Sequence, residues 1–385
     1  MNKLKFGVIG TSRKEDERRI PIHPEHLNRL PKEIRKQLIF EEGYGTPFGI
    51  TDSELSAQSG GVATRHELLA DLGNVILAKP VLADFEELRE GGILWGYPHC
   101  VQQEQHTQAA INRKQTLIAF EDMFVWGANG QIGRHTFYKN NEMAGYCAVI
   151  HALQLKGIDG HYGNQRKVII FSFGAVSRGA IYALKARGFR DITICIQRPD
   201  QWVREEVLDC EYIRIKEGDE GDARMLVIEH DGTEKPLADL ISESDIIVNG
   251  TLQEPTHPID FVTEDEISSL KPGCLIIDIS CDEGMGFSFA KPTTFKNPMF
   301  QVGSVDYYAV DHTPSYLWES ASRSISAALV VHLPDVIAGY ESWQENETIR
   351  YAVNLDAGVV EKPDILSFQN RETDYPHRVI ELGRN

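Results

Sequence analysis

A chain of 385 residues exceeds what one hydrophobic core usually supports, so two domains are expected, and 42% hydrophobic against 25% charged residues is the mix of a folded protein without a long disordered tail. The formal net charge of −18, with no long Lys/Arg block, excludes neutralisation of a nucleic-acid backbone as the main task, yet leaves room for an anionic cofactor seated on a helix N-terminus. No stretch approaches the roughly 18 apolar residues of a membrane span.

The opening MNKLKFGVIG has too short an apolar part for a signal peptide, and the six cysteines lack CxxC or Cys/His spacing, so they read as reduced, packed side chains. A cytoplasmic protein with no metal, membrane or nucleic-acid partner is expected. Short apolar runs then alternate with helix-like stretches: Phe6 to Ile9, Leu38 to Phe40, Val75 to Leu77, Ile93 to Tyr97 and Leu117 to Phe120. This alternation predicts βα units around a mainly parallel sheet. A helix opens near Asn141, carries Met143, Cys147, Ile150, Leu153 and Leu155, and stops at Lys156-Gly157.

A second series follows the polar loop Gly160 to Arg166: a strand over Val168 to Phe171, a helix from Ser177, and strands over Ile192 to Ile196, Ile246 to Val248 and Leu275 to Ile279. A final helix, Glu319 to Leu333, follows Pro314. The expected class is α/β with two Rossmann-like, doubly wound parallel-sheet domains. Residues 1–138 and 319–385 are expected to form a substrate (catalytic) domain, and residues 139–318 a dinucleotide-binding domain inserted within it.

Four ionisable residues stand near the ends of apolar runs, where ligand crevices of α/β sheets form. Arg19, in Asp16 to Pro24 after the first strand, can grip a carboxylate with two parallel hydrogen bonds. Lys79 ends one run, His99 the next, and Asp282 follows Leu275 to Ile279. Taken singly, each has a plain structural reading: a solvated pair, a lone strand-end group or a capped acidic loop. Two in successive strands are harder to dismiss.

The turn after Phe171 reads Ser172-Phe173-Gly174-Ala175-Val176-Ser177-Arg178-Gly179-Ala180. A dinucleotide-binding turn needs small residues so that the backbone can approach a pyrophosphate resting on the next helix. Gly174 takes the central place, Ser172 and Ser177 stand where glycines are usual, and Ala175, Val176 and Gly250 complete the expected cofactor contacts. The bare pattern also fits a βα turn with no ligand, but its strand-turn-helix-strand setting favours the cofactor. The next strand ends Ile196-Gln197-Arg198-Pro199, without an acid to repel a 2′-phosphate. Gln197 can donate, Arg198 offers a planar fork and Pro199 restricts the backbone, so NADPH is expected over NADH, with NAD possible. The alternative is that Arg198 is a solvated loop residue.

In this order the segments resemble the alanine dehydrogenase/lysine-forming saccharopine dehydrogenase superfamily. Glu17-Arg18-Arg19-Ile20-Pro21-Ile22-His23-Pro24 is similar to the first alanine dehydrogenase motif, and Lys79 to the family lysine, which commonly has one more residue before its proline. His99 is similar to the strand-end histidine, Asp278-Ile279-Ser280-Cys281-Asp282 to the late aspartate motif, and Lys291-Pro292-Thr293-Thr294 to an Arg-Pro-Thr-Thr stretch. The likeness runs from about residue 4 to 335. It is nearer the N5-(carboxyethyl)ornithine synthase branch through Gly133 to Glu142, Asp278 to Glu283 and Val310 to Ser315, while Val176 to Ala180 looks like the lysine-ketoglutarate reductase branch.

The resemblance implies a homo-oligomeric NAD(P)-dependent oxidoreductase acting on CH–NH bonds. It would condense an amino acid's side-chain amine with a small 2-oxo acid, ornithine with pyruvate in the nearer branch, and reduce the imine. It implies Arg19 as the carboxylate clamp, Lys79 as donor to the developing oxyanion, His99 as acid/base with Lys79 as the alternative, and Asp282 as the group that orients amine or water. Alanine dehydrogenase-type or saccharopine dehydrogenase-type turnover stays open, as does a dinucleotide-binding sensor without turnover.

Overall fold

The computed structural model describes residues 3–198, 205–218, 225–229, 231–253 and 258–380. The chain divides into two compact units, Met1–Tyr138 with Leu317–Asn385, and Lys139–Tyr316. The second unit ends two residues before the expected boundary at 318.

In the first unit the strands are β1 (Phe6–Ile9), β2 (Leu38–Glu41), β3 (Gly61–Ala63), β4 (Asn74–Leu77), β5 (Ile93–Gly96) and β6 (Thr116–Ala119), followed by the hairpin β7 (Phe124–Trp126) and β8 (Ile132–His135). The second unit carries β9 (Lys167–Phe171), β10 (Asp191–Ile196), β11 (Glu211–Glu217), β12 (Met225–Ile228), β13 (Glu234–Pro236), β14 (Ile246–Asn249), β15 (Asp260–Val262), β16 (Leu275–Asp278), β17 (Gly286–Phe287), β18 (Met299–Val302) and β19 (Val305–Tyr308). The chain returns to the first unit with β20 (Val353–Asp356) and β21 (Val359–Val360). Every residue of β1, β6, β14 and β16 is buried, as parallel strands covered on both faces require.

The first sheet runs β21-β20-β6-β5-β4-β1-β2-β3, parallel from β6 to β3, with β20 and β21 added antiparallel at one edge. From β1 the chain winds outward through β2 and β3, then returns to the other side of β1 as β4. The second sheet runs β13-β12-β11-β10-β9-β14-β16-β19-β18, and reverses in the same way between β9 and β14. Its β12, β13 and β18 are antiparallel additions. Each unit therefore has a topological switch point, the place where crevices open at the carboxyl ends of the strands.

The helix expected from Asn141 begins earlier and spans Tyr138–Lys156. It crosses the helix Ala175–Ala186 at backbone contact. A Cβ on Gly145 would lie 1.8 Å from the Val176 carbonyl oxygen, and one on Gly179 would lie 1.7 Å from that of Glu142. The final helix, expected as Glu319 to Leu333, is instead two: Trp318–Leu329 and Leu333–Ala338. Pro334 is the reason, because its ring would collide with the Val330 carbonyl if the first helix continued. Among the described residues no disulfide joins the cysteines, and no helix is long and apolar enough to cross a membrane.

Candidate active site

Lys79, His99 and Glu121 follow β4, β5 and β6, three adjacent parallel strands, and so emerge side by side at one edge of the first sheet. Lys79 Nζ lies 2.6 Å from His99 Nε2. With the ammonium donating, Nε2 is the acceptor and the ring proton sits on Nδ1. Tyr97 stacks on His99 with centroids 5.9 Å apart and rings 14° from parallel, and its face lies 5.8 Å from the Lys79 ammonium.

His99 has φ of 50°, a left-handed conformation that costs a side-chain-bearing residue about 1–2 kcal/mol. Its amide donates to Glu121 Oε1 at 2.6 Å, which places the same oxygen 3.8 Å from Nδ1. That is beyond a hydrogen bond but within one small side-chain adjustment. Glu121 Oε2 is buried and has no hydrogen-bond partner among the described residues. Burial, and next the charge of Asp122, push the Glu121 carboxyl up to about 8. The Glu121 carbonyl accepts from His135 Nε2 at 3.1 Å while His135 Nδ1 accepts the Phe137 amide, and burial keeps that imidazole below its ordinary value.

Glu121 was not among the residues expected from sequence. The available signal was a carboxylate just past an apolar strand, in Phe120-Glu121-Asp122, the same signal that marked Lys79 and His99.

Arg19 is buried in the loop after β1. It is not a solvated surface residue. Glu17, also buried, accepts from Arg19 Nε at 2.8 Å and from Nη2 at 2.5 Å. The backbone beyond is pinned: the Ile20 amide donates to Ser322 Oγ, and the Tyr44 hydroxyl bridges the Ile22 amide and carbonyl. Earlier in the loop, Glu41 at the end of β2 accepts the amides of Gly10 and Thr11 and the Thr11 hydroxyl. Arg65 ties Glu41 to the buried Asp84, which also receives Arg13. Ser12 donates to the Lys79 carbonyl, so the β1 loop and Lys79 flank the first switch point.

At the second switch point, Ser172 adopts φ of 73°, the left-handed conformation a glycine would normally supply. Ser172 Oγ donates to the Gly250 carbonyl at 3.0 Å and shares a hydrogen bond with Ser177 Oγ, which also contacts the Phe171 carbonyl. Ser177 is fully buried. The Ser172 hydroxyl thus ties the turn to the residue after β14 while its side chain stays half-exposed, and the Ser177 hydroxyl is held within the turn.

Gly174 N-caps the twelve-residue helix and is exposed, and a Cβ built there meets nothing within 4 Å. The first-turn amides of Ala175 and Val176 follow it. A Cβ on Gly250 would lie 2.5 Å from Ser177 Oγ, so a side chain here would have to displace that buried hydroxyl. An open face at Gly174 above a helix N-terminus suits a pyrophosphate. The Ser172 amide donates to the Cys195 carbonyl, so exposed Gln197 and Arg198 leave β10 beside this turn. Pro199 lies outside the described residues.

Asp282 also lies in the second unit, half-buried, with burial raising its carboxyl. Its turn is built on Asp278, which accepts from Asn249 and the Cys281 amide at 3.0 Å each and from the Tyr307 hydroxyl at 2.5 Å. Burial holds Asp278 up at about 6 despite those donors. Among the described residues no cluster suits a metal ion.

Residues 8–129 match the family described as alanine dehydrogenase/PNT, N-terminal domain, and residues 164–363 its C-terminal domain. N(5)-(carboxyethyl)ornithine synthase of Clostridium botulinum is 26% identical over 341 residues, covering 83% of this chain and 90% of that one. Alanine dehydrogenase of Mycobacterium tuberculosis is 23% identical over 335 residues, covering 84% and 85%. Among solved structures, an L-alanine dehydrogenase superposes with a TM-score of 0.72 at 15% identity, covering 95% of this chain and 99% of its own. A transhydrogenase from Sinorhizobium meliloti gives 0.68 at 18% identity, covering 93% and 99%. These two likenesses bear on the fold.

Proposed function

Because the chain belongs to the alanine dehydrogenase/PNT family, and is on that ground an NAD(P)-dependent oxidoreductase, we propose that it reduces the imine formed between an amino acid's side-chain amine and a small 2-oxo acid, with NADPH as reductant. The observation that carries this reading is the Lys79–His99 hydrogen bond with the raised Glu121 carboxyl beside it. Dinucleotide binding alone has no use for three proton-carrying groups on adjacent strand ends. The ornithine synthase likeness supports an amino-acid amine as the second substrate, with ornithine and pyruvate the first pair to test.

In this reading the first unit is the substrate unit and the second the cofactor unit. Arg19, oriented by Glu17, holds the oxo-acid carboxylate. Lys79 donates to the C2 oxygen as the amine attacks C2, stabilising charge where it develops. His99 takes the proton released by the attacking nitrogen and delivers it to the hydroxyl that leaves as water. Glu121, titrating near neutral pH, exchanges that proton with Nδ1 after a small adjustment. Asp282 keeps the role of orienting amine or water. Gly174, Ala175, Val176 and Gly250 would hold the pyrophosphate, and Gln197 and Arg198 the adenosine end. When bound, the nicotinamide supplies the hydride that completes the reduction.

The test follows NADPH absorbance with pyruvate, 2-oxoglutarate or glyoxylate against ornithine, lysine or ammonia, and weighs the product. A secondary amine carrying both substrates supports the proposal. Turnover with ammonia alone points to the alanine dehydrogenase-type reaction, and no turnover with any pair points to a sensor.

A further inference from the structure

The last segment of the chain lies beyond the family match, which ends at residue 363, yet it reaches the loop that carries His99. After the helix Pro363–Phe368, the buried Gln369 donates through Nε2 to the Cys100 carbonyl at 2.6 Å, the Val101 carbonyl at 3.2 Å and Thr107 Oγ1 at 3.3 Å. Arg371, also buried, settles which way that amide faces, because its Nε donates to Gln369 Oε1 at 2.6 Å. Arg371 Nη1 is held by Gln108 Oε1 at 2.7 Å and the His377 carbonyl at 3.0 Å. His377 Nε2 accepts the Val360 amide, fastening the segment to β21.

The loop needs such anchors. His99 stands at positive φ, and the carbonyls on either side of it lie beyond the end of β5 at Gly96. Local groups take three of them: His106 Nδ1 donates to the Pro98 carbonyl, the Gln103 amide to that of His99, and Thr107 Oγ1 to that of Cys100. Gln369 is the partner that arrives from the far end of the chain. It binds the two carbonyls immediately after His99, so its loss would let the peptide planes there rotate and carry the imidazole with them.

Resting on the reading of His99 as the acid/base, we infer that Gln369, oriented by Arg371, is a positioning residue that keeps His99 Nε2 on Lys79 and Nδ1 towards Glu121. The C-terminal segment is then part of the active-site support as well as of the packing.

The test uses the full chain with 13Cε1-labelled histidine, the His99 signal being identified by its loss in His99→Asn. Gln369→Leu removes the amide at similar volume. The inference expects its His99 titration midpoint to move, kcat to fall about tenfold with KM for NADPH unchanged, and the pH–rate profile to shift with the midpoint, as a misplaced acid/base requires. Arg371→Gln, which leaves Gln369 in place but releases its orientation, should act in the same direction more weakly, and serves if Gln369→Leu does not fold. Folded variants with lower Tm but unchanged His99 midpoint and pH profile would overturn the inference. If the midpoint moves while the wild type turns over no amine and oxo-acid pair, the positioning stands and the functional reading fails.

Discussion

Glu17 grips Arg19 through two side-chain hydrogen bonds, Nε to Oε1 at 2.8 Å and Nη2 to Oε2 at 2.5 Å, and the Arg19 amide adds a third to Oε1 at 2.9 Å. The carboxylate covers the Nε edge of the guanidinium and fixes its plane, an orientation that the proposed grip on an oxo-acid carboxylate requires.

Arg19→Ala should lower kcat/KM for the oxo acid by roughly ten- to a hundredfold, the scale of a lost hydrogen bond to a charged group. Arg19→Lys should recover little, because an ammonium cannot pair with Glu17 and a second carboxylate in one plane. NADPH affinity, read by fluorescence titration, should stay near the wild-type value in both. A matching loss of NADPH affinity would show that Arg19 serves the fold of the site and not the substrate.

Glu121 gives stability a definite pH dependence. Its folded-state value of about 8 lies well above the ordinary carboxylate range, so the native state retains a proton there that the unfolded chain releases. That contribution is complete below the unfolded value and is lost as pH rises through about 8. Glu121→Gln, neutral at every pH, should flatten the decline in Tm between about pH 5 and pH 9 and be the more stable protein at the alkaline end. Its kcat should fall and its pH–rate profile should lose a limb near 8, since the side chain no longer exchanges a proton. Parallel Tm curves for the two proteins would mean that Glu121 is ionised in the folded state throughout.

Gly179→Ala should be far more damaging than an ordinary surface change. Its methyl would stand 1.7 Å from the Glu142 carbonyl oxygen, and a backbone atom cannot rotate away. The two helices must separate, at a cost of about 3 kcal/mol or more for overpacking against fixed backbone. The helix whose N-terminus begins at Ala175 would move with them. Differential scanning calorimetry should find a lowered transition, and NADPH binding should weaken while the Lys79–His99 pair is unaffected. A wild-type transition would mean that the crossing is looser than described.

Arg198→Ala should raise KM for NADPH by roughly ten- to a hundredfold and barely alter NADH kinetics, the usual result of removing a charge-assisted bond to one phosphate. The side chain is exposed at the end of β10, beside the Ser172 turn. Equal losses with both cofactors, or a wild type that already prefers NADH, would place the 2′-phosphate elsewhere.

The strand ends were legible in the sequence for a local reason. A buried apolar run such as Asn74–Leu77 or Ile93–Gly96 must lie in a parallel sheet, and the first ionisable residue beyond it then emerges at the carboxyl edge, which singled out Lys79 and His99. The break between Trp318–Leu329 and Leu333–Ala338 was missed, because the apolar pattern runs on across it to Leu333, although Pro334 marks where a continuous helix must stop. Tertiary structure alone decided who stands beside whom. Glu121 meets His99 because β6 lies next to β5, and its proton affinity follows from burial that no stretch of chain encodes by itself. Likewise the Ser172 hydroxyl finds the Gly250 carbonyl after β14 and the Ser177 hydroxyl finds the Phe171 carbonyl, partners that the turn pattern by itself does not name. Gln369 reaches Cys100 across 269 positions of sequence. Periodicity, capping and ring sterics act within a few residues and can be read in order along the chain, whereas hydrogen-bond partners and desolvation depend on strand order, which the chain specifies only once it is folded.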